Sequence, residues 1–241
     1  LFMKRIVIGN GMAEYKFCEK LVTRSPGQVE ITVVGEEPRP AYDRVHLSAF
    51  FAGKTAEDLS LASADWYRAN GIMLHLADPV VGINREARTI HSFKGITSYY
   101  DILVFATGSA AFIPSIPGID KEGVFIYRTI EDLEMIGSFA QHINKATVIG
   151  GGLLGLEAAK ALLDLGVRDT QVIEYASRLM PKQIDSAGSR ILSAKLADLG
   201  LSVYTNSSTT AVLGNEWISG LQFANGEKLE TEMLVISAGI R

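Results

Sequence analysis

The sequence predicts an α/β fold in which one supersecondary plan is written twice, and three observations carry that expectation. Two β-branched runs, Arg5-Ile-Val-Ile8 and Ala146-Thr-Val-Ile149, each open onto a glycine-rich turn. Each turn leads into a helical stretch. Each copy then closes on an apolar run ending in Ala-x-Gly or Ala-Gly, Ile102-Leu-Val-Phe-Ala106-Thr-Gly108 and Leu234-Val-Ile-Ser-Ala238-Gly239. Features recurring in one order are the mark of a repeated unit, whereas a lone G-x-G-x-x-G is a weak signal.

Taken in chain order, the opening strands give way to Gly9-Asn-Gly11 and to Gly150-Gly-Gly152-Leu-Leu-Gly155, with helices through Leu21 and Leu165. A second strand in each copy ends in an acid, Glu30-Ile-Thr-Val-Val-Gly-Glu36 and Gln171-Val-Ile-Glu174. Amphipathic helices follow at Ala64 to Gly71 and Leu192 to Gly200, each closed by a glycine in the left-handed C-terminal position, and a third strand comes directly after. Alternating segments around tight glycine turns, Thr89 to Tyr99 and Trp217 to Leu229, predict antiparallel strands. The stretch Ala110 to Lys145, with Pro114 and Pro117-Gly118, reads as a linker plus a connecting helix over Ile130 to His142. The expected fold is α/β with two Rossmann-like dinucleotide-binding domains, residues 1–111 and 112–241, each a parallel sheet with a small antiparallel meander.

Composition narrows the function classes. At 241 residues, 47% hydrophobic and 21% charged, the chain has room for two compact α/β units. A net charge of -4 and the lack of any Lys/Arg-rich run argue against nucleic acid as a partner. One cysteine, Cys18, excludes an intrachain disulfide and any CxxC pair; its spacing with Tyr15 and Leu21 reads as core. His46, His75, His91 and His142 lack metal-ligand spacing. Apolar runs such as Met233 to Ile240 fall short of the roughly 20 residues of a membrane span. The start at Leu1-Phe2-Met3-Lys4-Arg5 runs straight into a strand and leaves no room for a secretory signal, so a cytoplasmic setting is expected.

A dinucleotide presents a diphosphate and a ribose, and this plan offers a part for each. Unpaired backbone N–H groups at a helix N-terminus, with the helix dipole behind them, favour negative charge by roughly 0.3–1 kcal/mol per contact. In the second copy Gly150 makes the tight turn, Gly152 admits the diphosphate beside Leu153 and Leu154, and Gly155 lets helix and strand approach. Glu174 is placed to bond the adenine ribose hydroxyls. A 2′-phosphate would face that carboxylate with a repulsion of roughly 4 kcal/mol at most, so NADH is expected over NADPH, with Arg178 as the group that could offset the preference. In the first copy Glu36 plays the matching part, with Glu37 beside it. Glu14 stands where the third glycine belongs, so either its side chain swings outward or the helix sits farther from the sheet.

At Gly9-Asn-Gly11-Met12, Ala41-Tyr-Asp-Arg-Val-His-Leu-Ser48 and Gly150-Gly-Gly-Leu-Leu-Gly-Leu-Glu157 the sequence resembles the FAD/NAD(P)H reductase portion of NAD(P)H-dependent nitrite reductase large subunits. The resemblance covers essentially the whole chain, including Tyr127-Arg-Thr-Ile-Glu-Asp132. It implies that NAD(P)H reduces FAD and that electrons pass through iron–sulfur centres to a sirohaem that reduces nitrite, none of whose ligands fall in this stretch. Carried over by position, FAD's diphosphate falls at Gly9, Gly11 and Met12, its ribose at Glu36 or Glu37, and further contacts at Arg44, Ser48 and the Thr107-Gly108 backbone. Ala238-Gly239 is the corresponding stretch of the NADH-binding copy. Glu157 is the candidate catalytic residue beside the nicotinamide. Many relatives carry, directly after Leu-Ser, a lysine that pairs with this glutamate; here Ala49 stands there.

No cysteine lies between Pro38 and Leu61, so a thiol relay of the disulfide-reductase kind is not expected. Electrons should leave to downstream iron–sulfur and sirohaem domains or to a small redox carrier. The protein's task is to stack nicotinamide against flavin in a crevice between the domains, with no protein nucleophile. Relatives return to the first domain after the last strand with a Gly-Asp motif, and the stop at Arg241 implies a fragment, or an unusually short paralogue, without that return. The partners implied are NADH and the acceptor, with an oligomer allowed for. The alternatives are a ferredoxin- or rubredoxin-type reductase and a non-catalytic nucleotide-binding module with a degenerate FAD site.

Overall fold

The computed structural model describes residues 3–241, which divide into two compact units: residues 3–46 with 55–109, and residues 47–54 with 110–241. In the first unit β1 (Lys4–Ile8) leads into α1 (Met12–Arg24) and β2 (Glu30–Val34). Short helices α2 (Ala56–Leu59) and α3 (Ala64–Ala69) precede β3 (Ile72–His75), then β4 (Val80–Asn84), β5 (Thr89–Ser92), β6 (Thr97–Tyr99) and β7 (Ile102–Phe105). The main sheet is parallel in the order β3-β2-β1-β7, and β4-β5-β6 is an antiparallel meander.

Burial explains the composition of β1. Ile6, Val7 and Ile8 are all buried, as a central parallel strand covered on both faces requires. On one face Cys18 of α1 and Tyr67 of α3 pack with Val7, Ile31, Val33 and Ile72. On the other, Ile6, Ile8 and Val34 meet Ile90 of the meander and Tyr100.

The second unit repeats the plan with one addition. β8 (Val124–Ile126) and α4 (Ile130–Ala140) come first, followed by β9 (Lys145–Ile149), α5 (Leu153–Asp164), β10 (Asp169–Ile173), α6 (Ser186–Asp198) and β11 (Leu201–Tyr204). A meander of β12 (Thr209–Gly214), β13 (Ile218–Phe223) and β14 (Lys228–Glu230) leads to β15 (Met233–Ile236). The parallel order is β11-β10-β9-β15-β8, so β9, β10, β11 and β15 correspond to β1, β2, β3 and β7. Val212, Leu221 and Phe223 of the meander close over Ile173, Leu234 and Ile236.

The α/β class, the two Rossmann-like units and their meanders agree with expectation, and Gly71 and Gly200 do take positive φ of 69° and 91° just past α3 and α6. Strands β4, β8 and β12 were not anticipated. β8 has three residues, too few to show a period, and β4 interrupts its alternation with Gly82. α6 starts at Ser186, ahead of the expected Leu192, because the Asp185 side chain accepts the Gly188 N–H at 2.8 Å and caps it there.

Candidate dinucleotide site

Both sheets reverse strand order beside the strand that feeds the glycine turn, β1 in one and β9 in the other, and in such sheets ligands bind outside the carboxyl ends of the strands at that switch point. A glycine turn occupies each one. Gly9 and Gly150 have φ of 110° and 122°, and a Cβ on either would overlap a carbonyl oxygen, that of Ala106 or of Ser237. Each turn is tied to the next strand, Gly9 N–H to Val34 O at 2.9 Å and Gly150 N–H to Ile173 O at 2.8 Å.

The following glycines are different in kind. A Cβ on Gly11 or Gly152 would meet nothing within 4 Å, so the space in front of each is open. These residues are also the N-caps of α1 and α5, and neither helix has a side-chain cap. Thr55, Ser63, Thr129 and Asp185 cap the other four α-helices. The first-turn N–H groups left over at α1 and α5 suit a diphosphate. Gly155 lies so close to Gly150 that a Cβ would overlap its carbonyl oxygen. Met12, Leu153 and Leu154 sit exposed at the helix starts.

Glu174, at the end of β10, turns back onto the glycine turn. Its Oε2 accepts the Gly151 N–H at 2.7 Å and its Oε1 the Ala176 N–H at 2.7 Å. Arg178 is held nearby in the same loop, donating to Pro181 O at 3.1 Å, while its buried Nε has no partner.

In the first unit the register gives a different arrangement. The matching hydrogen bonds from Gly9 and Gly150 align Gly35, not Glu36, with Glu174, and align Asn10 with Gly151. A Cβ on Gly35 would come 2.5 Å from that of Asn10, and one on Gly151 would come 2.9 Å from that of Glu174. Each copy therefore has room for one side chain between turn and strand end. The first fills it from the turn with Asn10, whose amide donates to Arg39 O at 2.6 Å, and the second fills it from the strand with Glu174. Glu36, one residue farther on, is exposed. Glu37 accepts from the Tyr42 hydroxyl at 2.7 Å and pairs with Arg44, whose guanidinium lies 4.9 Å over the Tyr42 ring.

Ser48 and Ala49 lie in a 3-10 turn, Leu47–Phe50, that packs on α4 and α5 and belongs to the second unit. Thr107 and Gly108 follow β7, and Ala238 and Gly239 follow β15, all exposed. Glu157, on the second turn of α5, is half-buried and has no hydrogen-bond or ion-pair partner among the described residues.

Glu14 does not swing outward. It is fully buried, turned sideways between α1 and α3, where the Tyr67 hydroxyl donates to Oε2 at 3.1 Å. Burial pushes its pKa up to about 7 against the opposing hydrogen bonds of Cys18 and Tyr67. Its Oε1 has no partner within hydrogen-bond distance. The sequence offered no sign of Tyr67 as a partner, because the two residues come together only when α3 packs on α1.

Two parallel sheets, each with a glycine turn feeding an uncapped helix at its switch point, define a protein that holds two dinucleotides. The chain belongs to the pyridine nucleotide-disulphide oxidoreductase family, whose sequence profile matches residues 3–241, and FAD and NAD(P)H are the groups bound in that family. It is 46% identical over 237 residues to the nitrite reductase NAD(P)H large subunit of Klebsiella oxytoca, which takes in 98% of this chain and 25% of that protein. The nitrite reductase (NADH) large subunit of Escherichia coli strain K12 is 45% identical over 238 residues, 98% of this chain and 28% of the relative. Among solved structures, an NAD-dependent persulfide reductase from A. fulgidus superposes with a TM-score of 0.90 at 27% identity, over 99% of this chain and 46% of that one. The chain thus spans about a quarter of the length of the two nitrite reductase subunits. Among the described residues no helix is long and apolar enough to cross a membrane, and no cluster of three or more His, Cys, Asp or Glu side chains could hold a metal ion.

Proposed function

We propose that this chain is the reductase portion of a nitrite reductase large subunit, taking hydride from NADH in its second unit and passing electrons onward through FAD held in its first. The observation that carries this reading is the pair of open, uncapped helix starts at Gly11 and Gly152. The first cradle fits a flavin dinucleotide's diphosphate, with Glu36 exposed beyond it for a ribose and with Thr107 and Gly108 offering backbone at the end of β7. Bound FAD supplies the conversion of hydride transfer into single-electron steps, which no side chain here provides. The residues orient and hold; Cys18 is no relay, since burial foremost, and then the Glu14 charge, push its thiol well above the ordinary range. Iron–sulfur and sirohaem centres elsewhere in the larger protein, or a small redox carrier, receive the electrons, and a cytoplasmic setting goes with that chemistry.

The test is a titration of the purified chain with FAD, followed by NADH without oxygen. Uptake of yellow flavin and its bleaching by NADH are expected. A chain that stays colourless at every FAD concentration would favour a nucleotide-binding module with a degenerate first site, the reading that Glu14 supports.

NADH is the preferred nucleotide in this reading because Glu174, fixed by two backbone N–H groups, holds a carboxylate where a 2′-phosphate would sit. Glu174→Ala should narrow the NADH-to-NADPH affinity ratio by on the order of tenfold. An unchanged ratio in equilibrium binding would remove Glu174 from that role.

A further inference from the structure

Glu14 stands where a glutamate ordinarily helps to cap its own helix, and it does not cap. It is the third residue of α1, after the N-cap Gly11, and a carboxylate at that position reaches back to the N-cap N–H in a capping box. Asp58 of α2 and Asp132 of α4 do so behind Thr55 and Thr129. Glu14 instead is fully buried, with the Tyr67 hydroxyl donating to Oε2 at 3.1 Å and Oε1 left without a partner. Cys18 from its own helix and Tyr67 from α3 are the titratable groups that face it. The cluster around them takes Val7, Ile31, Val33 and Ile72 from β1, β2 and β3, and Ala62 from the loop before α3. Helical side chains lean toward the N-terminus, and three residues advance the axis by only about 4.5 Å. The buried carboxyl and the open space in front of Gly11 therefore share one helix end.

We propose that the first cradle binds a dinucleotide's diphosphate only while Glu14 carries a proton, so that ligand binding and proton uptake are one equilibrium. The inference rests on the reading of Gly11 as the FAD cradle and adds the group that regulates it. An ionised Glu14 has two places to go, and both oppose the ligand. Left in its pocket, it adds a negative charge to the pair carried by the diphosphate at the same helix end, where burial leaves little water to screen them. Turned out to the N-cap N–H, it takes a donor that the diphosphate would use. The neutral carboxyl avoids both: Tyr67 keeps Oε2, and Oε1 is free to receive a proton from solvent. The second cradle lacks the device, because Gly155 stands after Gly152 where Glu14 stands after Gly11.

The experiment measures equilibrium binding of FAD to the full chain, and to Glu14→Gln, from about pH 6 to about pH 8, with NAD+ as the ligand for the second cradle. Burial lets the free carboxyl keep its proton up to about 7, so the parent's FAD affinity should be highest at the acid end and fall about tenfold across the range. At the alkaline end about one proton should be taken up per FAD bound, read from the heat of binding in buffers of different ionisation enthalpy. Glu14→Gln has nothing to ionise there, so it should hold the parent's acid-end affinity throughout and take up no proton. NAD+ affinity should stay level in both proteins. FAD binding by the parent without proton uptake, a fall that persists in Glu14→Gln, or an equal fall for NAD+ would overturn the proposal and leave Glu14 as a packing residue. The proton count needs the parent alone, so it decides the question even where the variant does not fold. No FAD uptake by the parent at any pH would instead overturn the reading of the first cradle, and this inference with it.

Discussion

Raising the pH from about 4.5 to about 7 destabilises the first unit by about 3 kcal/mol through Glu14 alone. In the folded protein this carboxyl is buried and holds its proton up to about 7, whereas unfolded it loses the proton near 4.5, the ordinary value for a glutamate. The folded state therefore binds the proton more tightly. Its contribution is complete below the lower value and is lost as pH rises through the window, levelling off above the upper one. Glu14→Gln keeps an acceptor for the Tyr67 hydroxyl and has nothing to ionise, so its stability should stay flat where the parent's falls. Trp66, whose ring centroid lies 5.0 Å from that of Tyr67, reports unfolding of this unit, with Trp217 replaced by phenylalanine to silence the second. Denaturant midpoints of the two proteins that run parallel across the window would show that Glu14 titrates as an ordinary surface acid.

Gly150→Ala should cost about 3 kcal/mol or more and abolish nucleotide binding by the second unit. Two causes act together: a φ of 122°, which alanine rarely adopts, and a Cβ that overlaps the Ser237 carbonyl oxygen at the end of β15. Relief requires β9 and β15 to separate at the centre of the sheet. Gly152→Ala is the informative companion. Gly152 has φ −82° and ψ 178°, which any residue adopts, and its Cβ would meet no protein atom within 4 Å. That variant should fold with the parent's stability yet lose NADH affinity, because the methyl takes the space of the diphosphate. Equal stability losses in the two variants, measured by chemical unfolding beside NADH titrations, would mean that the open space at Gly152 has no ligand to serve.

The strand–turn–helix order was legible because its signals are local. A β-branched run, a glycine that only a tight turn needs and an apolar strand closing the copy can each be read within a few residues. The third glycine and the acid at the strand end were legible in the second copy for the same reason. Glu36 looked like the partner of Glu174 because both are acids at the end of a strand, but register aligns Gly35 with Glu174, and register is set by pairing with β1. Nothing in a single stretch of sequence shows that Asn10 and Glu174 fill equivalent gaps from opposite sides.

By itself the sequence determined a doubled α/β plan and two glycine turns, since these follow from residue type and spacing along the chain. Only the tertiary structure decided where the polar side chains went: Glu14 inward to Tyr67, Glu37 onto Arg44, and Glu174 back onto its own turn. Backbone preference acts between neighbours. A buried carboxyl or hydroxyl must instead find a partner across space, and that partner is chosen by how helices and strands distant in sequence pack.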